Sequence, residues 1–218
     1  FHVISKNKDI TIKPQLFDNN KFLLQNEYRQ KNKNSLSILD FGFVKGHASN
    51  ANDKGDTRAH IFTNSILDLS LNNFKNSMLK VNYQKVTNDN YLKIFNLESG
   101  IIPVNSNVLE SIIELNLEHE NYDLTTSFEM FETLKGSNSD RYQYVLPSYN
   151  FSKNFSFEGV RGSYNFNSYG NNTLRDTNIT TSKNFNDLKY LSINKLLDNG
   201  IRTNFEISLK NVNTTGKN

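Results

Sequence analysis

The chain has 218 residues, 36% of them hydrophobic, with 25 Lys and Arg against 22 Asp and Glu for a net charge of +3. That length suits one large domain or part of a bigger one, and the scattered basic residues form no cluster that would point to nucleic acid. Cysteine is absent, so disulfide and thiolate chemistry are excluded, and no stretch approaches the roughly 20 apolar residues of a transmembrane helix. A tilted barrel strand spans with only about 9–11 residues, so strands remain a route across a membrane.

The chain opens Phe1-His2-Val3 with no Met and no cleavable apolar segment, as an internal piece of a longer precursor would. From there, turn-forming clusters of Asn, Asp, Gly and Ser punctuate alternating segments. The pattern predicts strands over residues 9–17, 21–30, 35–44, 58–70, 77–87, 108–118, 121–132, 141–151, 155–166, 174–183, 188–194 and 201–212. Short helical turns are expected at 92–95 and 195–198. Residues 45–57 form the most polar connection and 88–107 the longest, while 168–172 read as a turn.

Three segments show the alternation best. Leu109, Ile113, Leu115 and Leu117 interleave with Glu110, Glu114, Asn116 and Glu118, and Tyr122, Leu124, Phe128 and Met130 with Asp123, Thr125, Ser127 and Glu129. Near the end, Ile201, Thr203, Phe205, Ile207 and Leu209 interleave with Arg202, Asn204, Glu206, Ser208 and Lys210. Successive strand side chains point to opposite faces, so each segment has an apolar and a polar side. Sixteen Phe and ten Tyr in a chain of mean hydropathy −0.62 place apolar residues on one face and rarely in runs, which suits a wall between lipid and water. The expected fold is all-β, an antiparallel meander forming part of a large transmembrane outer-membrane β-barrel. Glu110, Glu114, Glu118, Arg202 and Glu206 are the candidate lumen-facing residues.

Catalytic signals are thin. His2, His47, His60 and His119 are dispersed without metal-ligand spacing, and Asp53, Asp56, Asp89 and Asp140 read as loop residues outside any calcium-loop pattern. No nucleophile elbow or phosphate-cradling glycine loop is present. The expectation is a protein without catalytic residues, metal or cofactor.

Particular stretches carry a resemblance. Arg58-Ala59-His60-Ile61-Phe62 opens a strand after a polar loop, Thr87-Asn88-Asp89-Asn90-Tyr91-Leu92 follows the next strand, and Tyr144-Val145-Leu146-Pro147 comes about fifty residues later. With Asp9-Ile10-Thr11-Ile12-Lys13-Pro14 and Glu27-Tyr28-Arg29 ahead of them, their order resembles the barrel of the lipopolysaccharide-assembly outer-membrane proteins of the LptD family, also called OstA or organic solvent tolerance proteins. Ala59 stands where that family usually has Gly, and Thr87-Asn88 replaces part of its Ser-Asp-x-x-Tyr-Leu motif.

The resemblance implies a non-enzymatic transporter in the outer membrane of a Gram-negative bacterium. The chain would be the first ten to twelve strands of a barrel of about twenty-six, with the preceding jellyroll and the closing strands absent. Its implied partners are lipopolysaccharide, an LptE-like plug lipoprotein and an LptA-like periplasmic bridge protein, with lipid leaving through a lateral opening. Pro14 is the candidate lateral-gate residue, because proline gives no N–H to a sheet ladder and belongs at edges, strand starts or bulges. A porin-like barrel and a soluble, secreted β-rich binding module are the alternative readings.

Overall fold

Segments that alternate apolar and polar residues at a period of two put all their apolar side chains on one surface of a sheet, and neighbouring segments of like pattern pair in register. The computed structural model describes residues 1–17, 21–47, 56–104, 106–135 and 140–217. Its strands are β1 (His2–Ser5), β2 (Lys8–Phe17), β3 (Lys21–Lys31), β4 (Ser35–His47), β5 (Asp56–Asp68), β6 (Asn76–Val86), β7 (Val108–Glu118), β8 (Tyr122–Thr133), β9 (Tyr142–Phe155), β10 (Gly162–Arg175), β11 (Thr180–Ser192), β12 (Lys195–Leu196), β13 (Arg202–Thr203) and β14 (Glu206–Lys217). One helical turn, α1 (Tyr91–Ile94), lies between β6 and β7.

Twelve strands make one antiparallel meander in the order β1 to β11 followed by β14, and β12 and β13 pair in a separate small hairpin. Among the described residues β1 and β14 do not pair with each other, so the sheet is open rather than closed as a barrel. Connections alternate between two rims. The long connections after β4 and β6 therefore share one rim, called here the upper, while the β12–β13 hairpin stands at the lower rim.

The register sorts the side chains into two faces. Leu115 pairs with Thr126 and Thr126 with Tyr149, and the row bearing Leu209 runs through Leu188, Phe166 and Lys153 to Tyr122. The apolar rows read from the three alternating segments therefore share one sheet face, and many of their members are exposed: Ile113 is 52%, Phe128 50% and Leu209 69% accessible. Leu109 departs from its row, being buried in the hydrophobic cluster at the upper rim. Glu110, Glu114, Glu118 and Glu206 lie on the opposite face.

Four expectations need correction. The turn at 168–172 is absent: β10 runs through it and turns at 176–179, so the strands expected over 155–166, 174–183 and 188–194 shift to β10 and β11. The composition misleads because Asn and Ser pair across strands here, Asn165 donating to Asn154 at 2.7 Å and Ser168 to Asn186 at 2.8 Å. The strand expected over 201–212 is broken between β13 and β14. Arg202 accordingly belongs to the hairpin, paired with Leu196, and not to the face carrying the glutamates. The expected helical turn at 195–198 is that hairpin's first arm, closed near Gly200, whose φ of +82° suits a residue without a Cβ.

Candidate functional site

The polar face is interrupted near the upper rim by apolar residues that the alternation does not call for: Phe17, Leu23, Val44, Phe62 and Val86. They form a seat. The β6–β7 connection folds back onto it, burying Tyr91 and Leu92 of α1 together with Phe95, Leu97 and Ile102. Phe95 meets Phe17 edge-on with ring centroids 5.3 Å apart. Each fully buried side chain of this size contributes roughly 1.5–3 kcal/mol, so the seat holds the segment by apolar burial first.

Hydrogen bonds fix its position. His60, on β5, directly opposes Gly42 on β4, and Gly42 opposes Gln25 on β3. Asp40 and His60 have fully buried side chains, and His60 Nε2 lies 3.1 Å from Asp40 Oδ1. Gln25 Nε2 donates to both Asp40 oxygens, at 3.1 and 3.0 Å. A carboxylate only accepts, so His60 Nε2 presents a proton to Asp40, and Nδ1 is hydrogen-bonded to the Tyr91 hydroxyl at 2.9 Å. The same segment receives Gln25 Nε2 at the Glu98 carbonyl, 2.9 Å away, and offers the Ser99 hydroxyl to Asp40. Burial, reinforced by the Asp40 charge, pushes the Tyr91 hydroxyl well above the usual tyrosine range, so Tyr91 remains neutral.

A second cluster ties the start of the segment to β8 and β9. Arg141 grips Asp89 through both terminal nitrogens, at 3.0 and 2.6 Å, and also donates to Glu132 Oε1 at 2.8 Å. Lys85 donates to Glu132 Oε2 at 2.7 Å and to the Tyr142 hydroxyl at 2.9 Å, and Tyr142 donates onward to Glu132. Glu132 is 1% exposed, so these three donors are what make its burial tolerable. The hydrogen bond from Arg141 holds the Asp89 carboxyl below the usual aspartate range, and Asp89 in turn raises Arg141.

Two stretches read as motifs thus meet at one rim, and the third lies on β9 just beyond Arg141. His60 binds Tyr91, Asp89 binds Arg141 just ahead of β9, and Val145 is buried where β9 bulges beside Leu146 and Pro147. Sequence reading gave His60 no role beyond its place in a motif stretch and missed Gln25, Asp40, Glu132 and Arg141. The available signal was the loss of alternation at Leu16-Phe17, Phe22-Leu23-Leu24, Phe43-Val44 and Ile61-Phe62, where strand ends are apolar on both faces. With Asp40 and His60 both sealed from solvent, the pair serves as an anchor that no substrate atom reaches.

The remaining sequence candidates fall elsewhere. Glu110, Glu114, Glu118 and Glu206 stay on the polar face, and Glu206 pairs with Lys189 at 3.0 Å. Pro14 lies opposite Leu24 on β2. Lys31 N–H donates to Asn7 O across that same register, which makes the odd positions of β2 its hydrogen-bonded pairs with β3. The nitrogen of Pro14 therefore faces the other edge of β2, where β1 covers only residues 8–10. Its missing N–H breaks no bond within the described sheet.

His2 sits in β1 and His119 stacks on Tyr122 at 4.6 Å. His47 ends β4, and Asp53 lies outside the described residues. Asp56 begins β5 rather than standing in a loop, and Asp140 accepts from Thr177 at 2.6 Å. Among the described residues no group of three or more His, Asp or Glu is placed to hold a metal. Set against known proteins, the chain matches no family model and no curated protein, so the geometry of its faces and rim is what speaks for its function.

Proposed function

We propose that this chain is part of an outer-membrane β-barrel of the lipopolysaccharide-assembly kind, its apolar face turned to lipid and its polar face lining a lumen. The observation that carries the reading is the single open meander with unlike faces, one exposing Ile113, Phe128, Ile207 and Leu209 and the other carrying the glutamates. The aromatic residues support it. On β9, Tyr144 near the upper rim and Phe155 at the lower share the apolar face eleven positions apart. At about 3.4 Å per residue and a tilt of 35–45°, that separation is about 26–31 Å along the membrane normal, close to the height of a barrel's apolar band.

Contact between two of the motif stretches at one rim, His60 bonding Tyr91, favours the lipopolysaccharide-assembly family over a general porin. In this reading the strand edges at β2 and β14 meet further strands of the same barrel, and Pro14 stands at the edge that parts. Lipopolysaccharide is the cargo, an LptE-like lipoprotein fits the polar lumen, and an LptA-like bridge delivers the lipid; no covalent step is involved.

The test is site-directed spin labelling of the full-length protein in bilayers. A label at Leu115 should respond to a lipid-soluble quencher, and one at Glu114 to a water-soluble one. Equal or reversed accessibility refutes the membrane reading and favours a soluble module.

A further inference from the structure

Outside the upper rim, the lower rim carries a pocket of about 610 Å³ where the β12–β13 hairpin leans toward β11. Its walls are Tyr190, Ile193, Leu196 and Phe205, and its charged groups are Arg161 and Lys195. Among the described residues no carboxylate lines it. Arg161 and Lys195 are exposed and take part in no ion pair among the described residues, in contrast to Lys189 and Lys210 nearby, which face Glu206 and Asp187 at 3.0 and 4.0 Å. We propose that this pocket binds the phosphate-bearing headgroup of an anionic phospholipid, whose acyl chains continue onto the adjoining apolar face.

The placement follows from the register and rests on the barrel reading above. Tyr190 belongs to the apolar face, opposite Tyr164 and Ile207. Its ring lies 4.9 Å from Tyr164 and 5.7 Å from Phe205, while Phe155 stacks on Tyr164 at 5.4 Å. That aromatic row is where a barrel wall passes from hydrocarbon to headgroups. Beside it, Leu196 is 68% exposed, an apolar side chain held at the pocket's mouth by a hairpin that water alone would not favour.

The Tyr190 hydroxyl donates to the Arg161 carbonyl at 2.7 Å, which anchors the backbone of the exposed arginine to the pocket wall. Lys195 is held by the Lys195–Thr203 pairing. Two cations over an aromatic and aliphatic wall match an amphiphile with an anionic head. A guanidinium binds phosphate oxygens in pairs, and an ammonium adds a point charge.

The experiment uses the full-length protein in nanodiscs of phosphatidylcholine doped with phosphatidylglycerol, with bound lipid read by native mass spectrometry. Wild type should retain phosphatidylglycerol in preference to phosphatidylcholine, and the double variant Arg161→Gln/Lys195→Gln should hold it about thirty-fold more weakly. Lys210→Gln, which removes a paired cation from the same region, should retain the wild-type preference. Equal retention by the wild type and the double variant would overturn the proposal, as would displacement of the lipid by millimolar inorganic phosphate. Failure to enter nanodiscs would instead count against the barrel reading itself, so the two outcomes separate.

Discussion

Replacing Gly42 with Ala tests the anchor where its geometry is tightest. A Cβ added there would lie 2.7 Å from the Leu24 carbonyl oxygen, 2.8 Å from His60 Cε1 and 3.1 Å from Gln25 Cα. Two of those atoms belong to the β3 backbone, and the His60 ring is pinned between Asp40 and Tyr91, so none is the free end of a mobile side chain. In an unconstrained strand the same change is favourable by roughly 0.5–1 kcal/mol, because glycine loses more freedom on folding. Overpacking of this kind costs about 1–3 kcal/mol, so the net effect is a loss. In a urea titration of the refolded full-length protein in detergent, followed by far-UV circular dichroism, the midpoint should fall by roughly 0.5–1 M. Gly216→Ala, whose Cβ would meet nothing nearer than 3.7 Å, should leave it level or raise it. A Gly42→Ala protein as stable as wild type would refute the claim that Gly42 makes room for His60.

The β6–β7 connection should hold its place on the sheet across a broad pH range. Tyr91 has its value raised by burial, so its contribution is present below about 10 and is lost as pH climbs through the raised value; Asp89, lowered by Arg141, contributes above about 3.9 and is lost as pH falls through its lowered value. An environment-sensitive fluorophore on Ile94→Cys, at an exposed position of α1, should therefore read constant between about pH 5 and 9 and change outside that window. A midpoint near neutrality would sink this account. Pro14→Val adds an N–H directed at the open edge of β2. Stability of the refolded protein should shift by no more than about 0.5 kcal/mol, while surface lipopolysaccharide at matched barrel abundance should drop because the edge now pairs more firmly. Unchanged delivery would remove Pro14 from the gate.

Period-two alternation by itself determined the strands, the antiparallel meander and the membership of the two faces, because side-chain direction in a strand is a local property of the backbone. It reached as far as placing Glu110, Glu114, Glu118 and Glu206 on the face opposite the apolar rows. It failed where composition and context part. Asn and Ser at 168–172 read as turn formers, but cross-strand hydrogen bonds make them strand residues, and such partners are set only once β9, β10 and β11 lie side by side. The anchor was likewise beyond local reading. Gln25, Asp40, His60 and Tyr91 are separated by 15 to 31 positions along the contacts that join them. Each alone is an ordinary polar residue; only the fold-back of the β6–β7 connection onto the sheet removes their water and obliges them to satisfy one another.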